Sequence, residues 1–418
     1  MSPRTTTRAA GDAGAAEVVE APTGGRYVQL VLVLGALIAL GPLTIDMYLP
    51  AFPRIGDELG ASDSAVQLTL TGMLLGLSLG QLVIGPLSDA LGRRRPLLVG
   101  LAAHTLASVL CAVAPSIGVL AAVRVAQGLS GAALSVVAMA IVRDLFSGVA
   151  VARIMSRLML VIGLAPIVAP SIGSLVLGFT SWRGIFVVLA VTALLLIGIA
   201  FLGLRETLPP SRRRPATVRA TLAAYRTLLA DRVFLALAFI GGSMLAAVFA
   251  YVSGASFVLQ DGFGLDTRTF GLVFGLNAAG LTLTAQLNPL LLRWLSVRDV
   301  LTGAILLAAS GAAALLLVGL TGGGGLLAVL LPLAVVVSSA GLAMPNTPAL
   351  ALTRHGGAAG TAAAVLGCVQ FGVGALIAPL VGAFGSDTAA PMGAVMVGLT
   401  GFAALLMFGV VRREHIGR

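Results

Sequence analysis

The sequence predicts an all-α polytopic membrane protein with twelve transmembrane helices in two six-helix bundles. Three observations carry that expectation. Of 418 residues, 58% are hydrophobic and 10% charged, with a mean hydropathy of +1.05. Water-soluble proteins carry about 25% charged residues, so a soluble globule is excluded. Apolar stretches long enough to cross a bilayer, at about 20 residues each, recur along the whole chain. The charges between them alternate: one set of loops is rich in Arg, and the other holds Asp57, Glu58, Asp63, Asp261, Asp266 and Asp387.

The formal net charge of +10 is built from Arg alone, with no Lys. It does not mark a nucleic-acid binder, because the arginines are spread over alternate loops. These include Arg93–Arg95, Arg153, Arg157, the group from Arg205 to Arg226, Arg293, Arg298, Arg354 and Arg412. The positive-inside rule makes these loops cytoplasmic, and an even number of spans puts both termini inside. The expected location is the cytoplasmic (inner) membrane, with the lipid bilayer as the surrounding partner.

Residues 1–26 read as a disordered polar tail. The first bundle covers 27–204, with spans near 27–49, 64–87, 97–114, 117–142, 152–178 and 183–204. A basic, Pro-containing linker, 205–231, follows. The second bundle covers 232–411, with spans near 232–258, 268–292, 298–319, 325–349, 358–383 and 388–411, and 412–418 form the tail. The apolar run after residue 26 is too long for a signal-peptide core. Cys111 and Cys368 lie in separate apolar spans and read as small buried hydrophobes rather than a disulfide framework.

The two halves echo each other. Ala169-Pro170-Ser171-Ile172-Gly173 recurs as Ala378-Pro379-Leu380-Val381-Gly382, half a chain later, and Arg143 has its counterpart in Arg354. Parallel repeats of this kind place the substrate site between halves near the membrane midplane.

Within the spans, Asp46 and Arg124 stand out. An acid or guanidinium at the bilayer centre costs roughly 2.5–3.5 kcal/mol on insertion scales, so each calls for a partner, a proton or a task. Asp46 reads as a proton carrier, with Arg124 as a candidate coupling partner. Arg124, Gln127, Gly128 and Gly131 share one helix face. Tyr48, Gln127, Tyr251, Asn277, Asn346 and Gln370 are polar side chains that could line a cavity. There is no phosphate-binding loop, metal-ligand spacing, nucleophile elbow or dinucleotide fingerprint, so no metal, no cofactor beyond coupling protons and no enzymatic activity are expected.

The loop Gly85-Pro86-Leu87-Ser88-Asp89-Ala90-Leu91-Gly92-Arg93-Arg94-Arg95 resembles the loop signature of the major facilitator superfamily. The resemblance implies a conformational latch built from Gly85, Asp89, Gly92, Arg93 and Arg143. The Arg124-x-x-Gln127-Gly128 run resembles that superfamily's R-x-x-Q-G motif, whose arginine is implicated in proton coupling. Gly163, Pro166, Pro170 and Gly173 partly match its antiporter motif, with Ala169 and Ser174 in place of two glycines. Gly41-Pro42-Leu43-Thr44-Ile45-Asp46-Met47-Tyr48-Leu49-Pro50 and Tyr251–Gln260 resemble the bicyclomycin/chloramphenicol-resistance subfamily of drug:proton antiporters. The resemblance implies proton-coupled efflux of a small-molecule drug such as chloramphenicol, conferring resistance; a monomer is the expected state. A proton-coupled metabolite exporter or nutrient symporter on the same fold is the alternative.

Overall fold

Capping and loop chemistry set the helix ends in the computed structural model, which describes residues 24–146, 149–213, 218–355, 359–383 and 388–413. Twelve helices are long and apolar enough to cross a membrane among these residues. They are α1 (Gly24–Asp46), α3 (Asp63–Leu91), α4 (Arg94–Ala112), α5 (Ile117–Leu145), α6 (Val149–Leu177) and α7 (Trp182–Gly203) in the first half. The second half supplies α9 (Arg232–Ser256), α10 (Thr267–Leu291), α11 (Val297–Thr321), α12 (Gly325–Thr353), α13 (Ala359–Ala383) and α14 (Ala390–Leu406), whose helical span continues to Val411. Hydroxyl or carboxylate caps start several of them: Ser62 on α3, Ser116 on α5, Asp231 on α9, Asp266 on α10 and Ser296 on α11. Each accepts from a first-turn amide that has no helical partner of its own. Helices of 29 residues, such as α3 and α5, reach about 43 Å, more than the roughly 30 Å hydrocarbon core.

Two short helices lie outside the expected spans. After α1 the chain makes a tight turn at Leu49–Ala51 and forms α2 (Phe52–Leu59). The 205–231 linker contains α8 (Val218–Ala230), whose Tyr225 hydroxyl donates to Leu82 O of α3 at 2.9 Å. Residues 1–23 of the expected N-terminal tail, 414–418 of the C-terminal one, and Arg214 and Asp387 lie outside the described residues.

Within the first bundle, α3 packs on α5, α4 on α5 and α7, and α1 on α6. The α3–α5 contact is backbone against backbone. A Cβ on Gly76 would come within 2.7 Å of Leu129 N, and one on Gly128 within 2.9 Å of Leu77 N. Small residues permit this approach, which supplies van der Waals attraction where lipid offers no hydrophobic drive. In the second bundle α11 packs on α12 and α14, and α13 on α9. The bundles meet through α3 against α13 and α6 against α10.

The apolar core shows how the halves join. One cluster runs through the first bundle and continues into the ends of α9–α14 that lie away from the arginine loops, through residues such as Phe257, Phe274, Val336 and Met392. A second cluster, with Phe234, Leu237, Leu301, Leu366 and Met407, fills the arginine-side ends of α9, α11, α13 and α14. The halves therefore share a core at the face opposite the arginine loops, and the second half keeps its own core at the arginine-rich face.

Candidate functional site: a buried acid between the halves

Hydrogen bonds across the interface concentrate at that opposite face. Gln67 of α3 is fully buried; its Nε2 donates to Ser253 O of α9 at 3.2 Å, and its Oε1 accepts from Gly382 N of α13 at 2.8 Å. The Ser256 hydroxyl donates to Leu49 O at 2.5 Å, Gln260 Nε2 to Pro50 O at 3.4 Å, and the Ser174 hydroxyl to Thr267 O at 2.9 Å. Nearer mid-depth, the Ser78 hydroxyl donates to Cys368 O, and that of Thr282 to Gly163 O, both at 2.8 Å.

Asp46 ends α1 next to this closure. It is buried, and no hydrogen bond or ion pair engages its carboxylate among the described residues. Across the interface, the Tyr251 phenol of α9 lies within electrostatic range of it. Tyr251 is stacked on Phe274, with centroids 5.0 Å apart and 18° between planes, and its Oη accepts from Asn277 Nδ2 of α10 at 3.3 Å.

Arg124 is equally buried but does not pair with Asp46. Its Nη1 donates to Thr44 O at 3.1 Å and to Gln127 Oε1 at 2.6 Å, while Nε and Nη2 have no hydrogen-bond partner among the described residues. The guanidinium lies over the Tyr48 ring at 4.2 Å, an arrangement worth about 2 kcal/mol when desolvated. Gln127 Nε2 donates to the Ser108 hydroxyl at 2.8 Å. His104, given no role by the sequence, completes this cluster. Its Nδ1 meets Gln127 O at 3.3 Å and its Nε2 the Thr44 hydroxyl at 3.2 Å. A carbonyl can only accept, so Nδ1 carries the hydrogen. Tyr48 and Gln127 thus belong to a polar cluster inside the first bundle rather than to the surface between halves.

The remaining expected cavity residues divide. Asn346 forms an amide pair with Asn288, its Nδ2 donating to Asn288 Oδ1 at 2.6 Å. Gln370 lies partly buried against Gly241. Tyr251, whose hydroxyl accepts from Asn277, is the one that lies within electrostatic range of Asp46.

The antiporter-motif positions line the α6–α10 seam. Gly163 meets Thr282, a Cβ on Gly275 would lie 2.7 Å from Ile167 O, and one on Gly271 3.4 Å from Pro170 O. Gly173 faces the backbone of Met47, one residue after Asp46. Pro166 and Pro170 sit inside α6. The motif therefore joins the end of α1 to the second bundle.

At the arginine-rich face, Arg93 is 7% exposed and bridges two acids: Nη1 to Asp89 Oδ1 at 2.5 Å and Nε to Asp144 Oδ2 at 2.7 Å. Burial by itself works against the Arg93 charge, but Asp144 and Asp89 outweigh it and raise its pKa. Asp144, not Arg143, completes this cluster. Arg143 is exposed, because consecutive helical residues point about 100° apart. An acid there neutralises Arg93, whereas a second arginine would repel it. Glu206, after α7, accepts from the amides of Arg93 at 2.8 Å and Arg94 at 3.3 Å, capping α4. Gly92 has φ +89°, and a Cβ there would lie 2.8 Å from the Glu206 carboxyl carbon; Gly85 has open space around it. In the second half Asp231 pairs with Arg354 and His355, both at 3.0 Å.

Trp182 and Arg183 tie the start of α7 to α2. Trp182 is 1% exposed and donates to Glu58 Oε2 at 2.7 Å, and Arg183 pairs with the same carboxylate. Short α2 carries Glu58 back over the bundle, which hydropathy alone does not show. Asp144, Glu206 and Gln67 were each legible as polar residues at span ends, but their partners are 50 or more positions away in sequence.

Two six-helix bundles enclosing an unpartnered buried acid define a polytopic membrane transporter rather than an enzyme. The chain belongs to the Major Facilitator Superfamily, whose family profile matches residues 34–379. A Bacillus subtilis protein described as "Uncharacterized MFS-type transporter YdgK" is 38% identical over 408 residues, 95% of this chain and 98% of its own. The subfamily resemblance in the sequence is matched by the "Bicyclomycin resistance protein homolog" of Haemophilus influenzae. That relative is 33% identical over 362 residues, 87% of this chain and 91% of its own. Among solved structures, a bacterial homolog of the human lysosomal transporter Spinster superposes with a TM-score of 0.72 at 15% identity. It covers 94% of this chain and 98% of its own, and establishes the shared fold.

Proposed function

We propose that this protein exports small amphipathic antibiotics in exchange for protons, with chloramphenicol or bicyclomycin-like compounds as the favoured substrates, and thereby confers drug resistance. The observation that carries the reading is Asp46: a carboxylate buried at the interface of the halves with no counter-ion among the described residues. Such a group is stabilised by taking a proton, and its position between two bundles lets the proton bias which face is open. The arginine-rich face is taken as cytoplasmic by the positive-inside rule, with both termini on that side of the inner membrane. The interface bonds at the opposite face then hold the transporter closed to the outside. One chain supplies both sides of the site, so a monomer suffices.

In the proposed cycle Asp46 takes a proton with the site open outward, the halves close over it, and drug arriving from the cytoplasm favours proton release. Each proton entering yields roughly 2.3 kcal/mol per 100 mV. At 1.4 kcal/mol per tenfold, that supports about a 40-fold gradient of a neutral drug. The Arg93–Asp89–Asp144 cluster serves as the latch in this reading, and Arg124 supports proton coupling through the fold of α1 rather than by pairing with Asp46.

The test uses everted vesicles, acidified inside and loaded with a pH-sensitive dye. Chloramphenicol or bicyclomycin should provoke proton efflux with wild-type protein and none with Asp46→Asn. An equal response in both would place the proton site elsewhere. No response to any drug would favour a dedicated metabolite transporter.

A further inference from the structure

The Asn277 side chain has one orientation available. Its Nδ2 donates both to Val273 O, one turn back at 3.2 Å, and to Tyr251 Oη at 3.3 Å. A flipped amide would set two carbonyl oxygens against each other at Val273. The orientation leaves Oδ1 buried with no partner among the described residues. Tyr251, 1% exposed and stacked on Phe274, cannot swing away to relieve it. On the other side of the interface, Asp46 is buried, and no hydrogen bond or ion pair engages its carboxyl group among the described residues. Buried acceptors are normally paired, so unpaired ones contributed by opposite halves point to a missing donor.

The charge in this region narrows that donor further. Among the described residues, the buried Asp, Glu, Arg and His side chains within the spans are Asp46, His104 and Arg124. Ionised Asp46 at most balances Arg124, so the interior holds no surplus negative charge for a permanent cation.

Building on the proposed efflux activity, we infer that Asn277 Oδ1 and Asp46 form a two-sided seat for hydrogen-bond donors of the transported molecule. Tyr251 fixes the Asn277 amide, and Phe274 supports Tyr251. The substrate class is an uncharged compound with an apolar body and hydroxyl groups at one edge. A quaternary cation without O–H or N–H donors does not fit. Because α1 and α10 belong to different halves, a donor-bearing ligand bridges them, and binding is coupled to their relative position.

The experiment measures equilibrium binding to purified protein in lipid nanodiscs, with chloramphenicol, its diacetyl ester lacking both hydroxyls, and tetraphenylphosphonium as probes. Chloramphenicol should bind wild type at least about tenfold more tightly than it binds Asn277→Leu, the loss expected when a buried hydrogen bond is removed. The diacetyl ester should bind weakly and alike to wild type and Asn277→Leu. If Asn277→Leu does not fold, Tyr251→Phe, which frees the amide, and the ester comparison on wild type carry the test. Equal chloramphenicol affinity in wild type and Asn277→Leu overturns the seat. So does preference for tetraphenylphosphonium, or no chloramphenicol binding to wild type. Asn277-dependent binding without drug-driven proton movement would instead overturn the antiport reading and leave the seat standing. Asp46-dependent exchange with affinity indifferent to Asn277 would overturn the seat alone.

Discussion

Replacing Gln67 with Leu should shift the balance between the two open states without unfolding either bundle. Gln67 makes two hydrogen bonds, one to α9 and one to α13, and both cross from the first half to the second. Bonds between membrane helices average about 0.6 kcal/mol, so the pair holds this face shut by about 1.2 kcal/mol. At 1.4 kcal/mol per tenfold, their loss moves the equilibrium about sevenfold toward separation at that face. The leucine keeps the volume and apolar contacts of the site, so melting temperature should change little. The assay is electron–electron distance measurement between spin labels at Thr180 and Thr321, exposed positions between α6 and α7 and at the end of α11, with Cys111 and Cys368 replaced by Ala. A larger population of long distances in Gln67→Leu is expected. An unchanged distribution in a folded protein would refute the claim that these bonds hold the halves together.

Arg93→Ala should cost about 3 kcal/mol or more by leaving the Asp144 carboxylate, 14% exposed, without its partner, whereas half-exposed Asp89 adds little. Arg143→Ala should lie within about 0.5 kcal/mol of wild type, and thermal melts of both in detergent decide which arginine belongs to the cluster. Gly128→Val should abolish stable expression because its Cβ meets the α3 backbone, while Gly118→Val, with open space around it, should be tolerated; fluorescence-detected gel filtration reads both. Asp231 titrates as a cap. Partial burial alone raises its carboxyl, but hydrogen bonds from Arg354 and from the Phe234 and Val233 amides outweigh that and hold it below the usual range. The stabilisation is complete above about pH 4 and drains away as pH falls through the lowered value. Asp231→Asn should therefore flatten the acid limb of the melting temperature against pH.

The sequence by itself determined the twelve spans, because hydropathy over about 20 residues is a local property that the bilayer reads directly. Observed ends fall within a few residues of those expected, as at 117–142 against Ile117–Leu145. It also singled out Asp46, Arg124 and the Asp89–Arg93 loop, because charge in an apolar setting is conspicuous whatever the fold. It missed α2, since eight amphipathic residues carry no spanning signal. Only the tertiary structure decided which charges meet. Arg124 settles over Tyr48 and beside Gln127 instead of Asp46, and Asp144 takes the place expected of Arg143. The reason is angular and long-range: neighbours on a helix diverge by about 100°, and partners 51 to 315 positions apart meet only when helices pack. For the same reason Asn277 and Tyr251 emerged from a wider set of polar span residues only when α9 and α10 were placed beside the end of α1.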